Sequence, residues 1–132
     1  MFKVNKMTDY ATVVLIAIAR SDEVQSSQRL AAKTGIPLPT VAKLMKSLGR
    51  AGLVVSQRGV SGGYVLGRPA EKISVADVIQ AVEGPIALTM CSESNNHQCL
   101  LDAHCRVKPH IGVVGRAVRG ALGAVTLTEL AR

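Results

Sequence analysis

Cys91, Cys99 and Cys105 are the only cysteines of the chain, and they fall within one short stretch as Cys-x7-Cys-x5-Cys. An odd number of clustered thiols argues against a disulfide framework and favours a metal, cofactor or redox site. The spacing is too wide for a zinc ribbon or a ferredoxin motif, which use close Cys-x2-Cys pairs. A loop of this size wraps something larger than one ion. Three soft thiolates select iron-sulfur or zinc over hard cations, and the spacing alone leaves those two open, beside three idle thiols. His97 and His104 are possible nitrogen ligands, although solvated loop positions are the plainer reading of both. His104 directly precedes Cys105, so the two converge on one metal only if the backbone bends. His110, in the first turn of a predicted helix, is a feasible neutral ligand because the helix dipole disfavours its protonated ring.

A second chemistry sits upstream. Val41, Leu44, Met45 and Leu48 fall at i, i+3, i+4 and i+7, which predicts a helix with one apolar stripe. Its other face carries Thr40, Lys43, Ser47 and Arg50, with Lys46 beside them. Pro37 and Pro39 suit the edge and first turn, where missing amide protons cost nothing, and Gly52 ends the helix. A short helix capped by Ser26 or Ser27 runs before it to Lys33 and stops at Gly35. Two short helices joined by a glycine turn, the second basic, form a helix-turn-helix pattern, weak when taken alone. It is strengthened by two predicted strands, Leu53 to Ser56 and Tyr64 to Leu66, around Gln57-Arg58-Gly59-Val60-Ser61-Gly62-Gly63. That hairpin is a wing. Its three glycines permit positive φ angles, and Arg58 at the tip is placed to enter a minor groove or clamp a phosphate. A nucleotide cradle is disfavoured, because neither a P-loop Lys-Ser/Thr pair nor a dinucleotide spacing is present.

The elements that must position these groups follow from pattern. A first helix is expected from Asp9 to Arg20, capped by Thr8, with the apolar run Ala11 to Ala19 at the centre of the core. Ser74 with Asp77 three residues on predicts a capping box opening a helix with Val75, Val78, Ile79 and Val82 inward, closed by Gly84-Pro85. Residues 85 to 105 are irregular and polar. Pro109 then starts a long helix in which Ile111, Val114, Val118, Ala121 or Leu122, and Val125 recur near a 3.5-residue period. Such a seam is expected to pair with a copy of itself, the alternative being packing on its own domain. Gly112, Gly115, Gly120 and Gly123 each weaken the helix by about 1 kcal/mol relative to alanine. They bend or shorten it, or they allow close approach across a dimer. The expected fold is mainly α with a small β-hairpin wing: a winged helix-turn-helix plus a long C-terminal dimerisation helix. Its parts are residues 1–84 for DNA binding, 85–106 for the cysteine loop, and 107–132 for the dimerisation helix and tail.

Composition bounds the partners. At 132 residues and 48% hydrophobic, the chain holds one core plus an appendage. Residues 1–72 carry eleven Lys and Arg against four acids, and residues 73–132 balance five against five, so the net charge of +7 lies in the front half. A basic front half points to a polyanion. Nucleic acid is favoured over membrane because no basic amphipathic helix stands out. No apolar run approaches the roughly 20 residues of a membrane span, and the N-terminus lacks a secretory signal, so a cytoplasmic protein without membrane contact is expected. No Cys-x-x-Cys, Ser-His-Asp signature or phosphate loop supports an enzyme or a small-molecule substrate. The remaining rival is a winged helix that binds RNA or protein.

Met7-Thr8-Asp9-Tyr10-Ala11, Pro39-Thr40-Val41-Ala42-Lys43, Gly52-Leu53-Val54, Arg58-Gly59-Val60-Ser61-Gly62-Gly63-Tyr64 and the three cysteines together resemble the IscR, NsrR and RirA group of bacterial winged-helix regulators. The likeness covers nearly the whole chain. Leu88-Thr89-Met90-Cys91 and the ending Val125-Thr126-Leu127 look most like the branch that regulates iron-sulfur cluster assembly by the SUF system. The resemblance implies a homodimer with crossed C-terminal helices, whose winged helices read successive major grooves of a pseudo-palindromic double-stranded DNA operator. It implies a recognition surface of Pro39, Thr40, Lys43 and Lys46 and a wing arginine at Arg58, to which Ser27, Gln28, Arg50, Ser61 and Tyr64 are added as candidate DNA contacts. It also implies an iron-sulfur cluster, two-iron or four-iron, on Cys91, Cys99 and Cys105, and favours that over a zinc or thiol-redox site. One departure concerns the fourth ligand. IscR-like proteins with a two-iron cluster carry a histidine three residues after the last cysteine, where this chain has Lys108, a cation that repels iron. In the NsrR-like branch an aspartate early in the first helix of the partner subunit serves instead, and Asp9 matches it. Asp9 is therefore the expected fourth ligand, ahead of His110 and His104.

Overall fold

Asn5 opens the first helix, α1 (Lys6–Ala19): its backbone is extended, and its side chain accepts from the Met7 amide, one of the amides a helix start leaves free. The computed structural model describes residues 4–60, 62–86, 106 and 108–132. The expected cap, Thr8, is thus corrected; it lies inside the first turn and is buried. Ala11, Val14, Leu15 and Ile18 form the buried stripe of α1, which packs on the three helices that follow it, on the second wing strand and on the last short helix.

Helix α2 (Ser27–Thr34) is capped by Ser26, whose side chain accepts from the Arg29 amide, and it ends at Gly35 in the left-handed conformation. Helix α3 (Leu38–Arg50) follows with Pro37 at its N-cap and the expected stripe, Val41, Leu44, Met45 and Leu48, fully buried. Strands β1 (Val54–Gln57) and β2 (Gly63–Leu66) pair antiparallel, from Val54 opposite Leu66 to Gln57 opposite Gly63. Leu53, expected as the first strand residue, is instead a buried joint between α3 and the wing. Its amide donates to the Leu48 carbonyl, and its own carbonyl accepts from Gly67.

Helix α4 (Val75–Glu83) begins with the predicted capping box, in which Ser74 and Asp77 satisfy one another's backbone amides. Helix α5 (Lys108–Ala124) packs on α4. The expected seam does not run through Val125, because a second short helix, α6 (Leu127–Leu130), starts after a break there. The break is held by long-range pairing: Val75 donates to the Val125 carbonyl, Leu127 donates to the Ile73 carbonyl, and Leu127 is buried in the core with Ile73 and Val78. Arg20 clamps the chain end by donating to the Ala131 carbonyl. Along α5, Ile111, Val118 and Leu122 are half-buried, whereas Val113 and Val114 are 56% and 47% exposed. The helix therefore covers part of its apolar surface against its own domain and leaves part of it open. The architecture is mainly helical with one hairpin wing. Among the described residues no helix is long and apolar enough to cross a membrane.

Candidate DNA-binding face and cysteine segment

Because the buried stripe fixes the rotation of α3, its opposite face is fixed too. Pro39, Lys43, Lys46 and Arg50 lie three or four residues apart along it and are exposed, with Thr40 half-buried at the first turn. Among the described residues, none of Lys43, Lys46, Arg50 and Arg58 is in an ion pair; the pairs formed are Arg29 with Glu23 and Arg68 with Asp77. The cations of α3 and the wing thus keep their charge available to a polyanion. Ser27 and Gln28 stand in the first turn of α2, half-buried and exposed respectively.

In the wing, Arg58 and Val60 are exposed, and Val60 stands free of all cover at the tip. The Gly62 amide closes the turn onto the Gly59 carbonyl. Of the three glycines expected to need positive φ, only Gly59 has it, at 130°. Gly62 and Gly63 are required for room: a Cβ would lie 2.6 Å from the Gln57 oxygen at Gly62 and 2.5 Å from the Gln25 oxygen at Gly63. Tyr64 is half-buried and packs against the core, while its backbone pairs with Gln25 in both directions. It anchors the wing root. Ser61 lies outside the described residues. Gln25 escaped the sequence reading, since nothing local marks an isolated glutamine in a turn.

Cys91, Cys99, Cys105, His97 and His104 lie outside the described residues, and among the described residues no group of three or more metal-ligating side chains occurs. The attachments of the cysteine segment are described. On the upstream side, the Glu83 carboxylate at the end of α4 accepts from the Asn5 amide at 2.9 Å and from the Thr8 hydroxyl. Ile86 is buried, and its carbonyl accepts from the Arg119 guanidinium of α5 at 3.0 Å. Downstream, the chain rejoins at the start of α5. The segment follows α4, which packs on both α1 and α5, and Asp9 stands exposed one turn into α1. His110 is exposed in the first turn of α5. Glu83 was missed from sequence, although an acid in the last turn of a helix, where the dipole disfavours it, is a signal that a partner waits elsewhere.

Comparison with known proteins accords with this geometry. Residues 4–132 match the model of the Rrf2 family, described as an iron-dependent transcriptional regulator. The protein rrf2 of Nitratidesulfovibrio vulgaris is 33% identical over 132 residues, covering 98% of this chain and 87% of that protein. The structure of CymR, the global cysteine regulator of B. subtilis, superposes with a TM-score of 0.75 at 27% identity, covering 99% of this chain and 97% of that one. The IscR structure from T. potens superposes with a TM-score of 0.72 at 25% identity, covering 98% and 85%. The family consists of DNA-binding regulators rather than enzymes, and the winged helix with its exposed basic face is the part that such a regulator needs. The chain belongs to the Rrf2 family of winged-helix transcriptional regulators.

Proposed function

We propose that this regulator works in the cytoplasm as a homodimer on a pseudo-palindromic double-stranded operator, and that an iron-sulfur cluster on Cys91, Cys99 and Cys105 sets its activity, controlling genes of cluster assembly. The observation that carries the reading is that the chain leading into the three-cysteine segment is held at Glu83 to the start of α1 and at Ile86 to Arg119 of α5, directly after α4. Helices α1 and α4 pack on α3, which bears the basic face. A change at the cysteines therefore acts on elements in direct contact with the recognition helix. The donor set fits the group: three soft thiolates suit iron and sulfide, and exposed Asp9 and His110 offer an oxygen or a nitrogen for a remaining position. The bound cluster would supply a redox- and ligand-sensitive centre. The family's description as iron-dependent supports iron as the metal.

On the DNA side, the proposed contacts are Ser27, Gln28, Pro39, Thr40, Lys43, Lys46 and Arg50 in the major groove and on phosphates, with Arg58, Ser61 and Tyr64 from the wing. The apolar surface of α5 at Val113 and Val114 is the proposed contact between copies. A second reading, in which the same thiols form a zinc or redox site, is favoured by the likeness to a cysteine regulator. Anaerobic purification decides between them. Brown protein with iron and acid-labile sulfide supports the cluster; colourless protein with stoichiometric zinc, or with neither metal, overturns it.

A further inference from the structure

We infer that Gln25 is a positioning residue that sets the wing relative to the recognition helix, and that through it Lys33 tunes base preference at the wing's minor-groove contact. The inference rests on the proposed reading of Arg58 as a minor-groove residue. Gln25 is 1% exposed, and apart from Thr8 it is the only buried polar side chain among the described residues. Its backbone forms both hydrogen bonds of an antiparallel bridge with Tyr64, at 3.0 and 2.8 Å. Gly63 makes that approach possible, because any Cβ there would collide with the Gln25 carbonyl.

The side chain extends the bridge in two further directions. Its Nε2 donates to the Ser21 hydroxyl at 2.8 Å and to the Glu23 carbonyl at 3.0 Å, which closes the turn between α1 and α2. Its Oε1 accepts from Lys33 Nζ at 2.8 Å. Lys33 lies in the last turn of α2, two residues before the Gly35 turn that leads into α3. One residue thus links strand β2 of the wing through its backbone, and the turn after α1 and the end of α2 through its buried carboxamide. The wing is also tied to the helical body through Leu53, whose amide donates to the Leu48 carbonyl of α3, and through Val54, Tyr64 and Leu66, which pack in or against the core. A two-stranded ribbon has little stiffness of its own, so its direction is set by what grips its root. Removing the amide leaves the Ser21 hydroxyl and the Glu23 carbonyl without their donor, and the turn that holds β2 must rearrange to recover one.

The test uses the full-length protein and a duplex selected by it from random sequence, with a second duplex scrambled only at the base pairs under the wing. Arg58→Ala is the reference. It should lower the ratio of affinities for the two duplexes at least fivefold, and an unchanged ratio would reject the minor-groove reading itself. With that reference in place, Gln25→Leu should lower the ratio three- to tenfold and should add little to Arg58→Ala, since both act through one contact. Hydroxyl-radical protection should fade at the wing, while dimethyl sulfate protection of major-groove guanines stays. A wild-type ratio in Gln25→Leu, or equal loss of both protections, overturns the inference. If Gln25→Leu does not fold, the surface variant Lys33→Met decides. The inference requires a lowered ratio with an unchanged salt dependence. An unchanged ratio with a salt slope smaller by about one would instead make Lys33 a phosphate contact and overturn it.

Discussion

The buried hydroxyl of Thr8 donates to the carboxylate of Glu83, 75 residues further along the chain, and joins the first turn of α1 to the last turn of α4. The same carboxylate takes the Asn5 amide, so it serves the positive end of α1 while sitting at the unfavourable end of its own helix. A hydrogen bond to a charged acceptor contributes about 1.5 to 3 kcal/mol. Thr8→Val, which keeps the shape and removes the donor, should lower stability in urea by about 2 kcal/mol at fixed protein concentration. Combined with Glu83→Gln, it should show a coupling above about 0.5 kcal/mol in a double-mutant cycle. Strictly additive losses would mean that the two residues do not act on one another.

What could be seen in the sequence was local. The stripe of α3, the Ser74–Asp77 capping box and the end of α2 at Gly35 depend on residues within a turn or two of each other, and each lies where periodicity or cap chemistry puts it. The α1 cap was misplaced by three residues because Asn5 and Thr8 are both good caps, and only the reach of Glu83 across the fold draws Thr8 inward. The continuous seam expected through Val125 failed for a similar reason. Pairing of Thr126 with Ser74, and burial of Leu127 in the core with Ile73, outweigh the helical pattern. At the wing, the Arg58 tip was visible as a glycine-flanked cation, whereas the Gln25 bridge at its root joins segments nearly forty residues apart and leaves no periodic trace.

The exposed cations of α3 and the wing, in no ion pair among the described residues, should have separable effects on DNA. Lys43→Ala should weaken binding to specific and non-specific duplexes alike and reduce the slope of log affinity against log salt by about one, as expected for a lost phosphate contact. Arg58→Ala should act mainly on base pairs under the wing. Titrations across a salt series with matched and scrambled duplexes read both. If neither variant differs from wild type, this face does not bind DNA.

Each of Cys91→Ala, Cys99→Ala and Cys105→Ala should abolish stable cluster assembly, because three thiolates and one weaker ligand leave no redundancy. Far-ultraviolet circular dichroism should stay near wild type. The core found among the described residues is built from α1 to α4, the root of the wing and Leu127, all outside the cysteine segment. Visible absorption of the anaerobic proteins is the measurement, and full absorption in any one variant removes that cysteine from the ligand set.

The fourth ligand is the point at which the exposed groups around the segment's root compete. Asp9 stands in the first turn of α1, three residues after the helix begins, and its ordinary role there is a favourable interaction with the dipole of about 0.3 to 1 kcal/mol. It is exposed, and the Glu83 bonds hold its turn against the last turn of α4. His110 is also exposed, on the downstream side. A carboxylate oxygen is a harder and more easily displaced ligand for iron than a thiolate, so a site completed by Asp9 would tie cluster state to the position of α1. Because α1 packs on α3, such displacement would reach the recognition helix directly. Asp9→Ala should therefore shorten the lifetime of the visible absorption in air several-fold and weaken the cluster-dependent change in operator affinity, and His110→Ala should do neither. Loss of cluster stability in the histidine variant alone would reassign the ligand to His110. No effect in either would leave His104, water or a small-molecule thiol at that position.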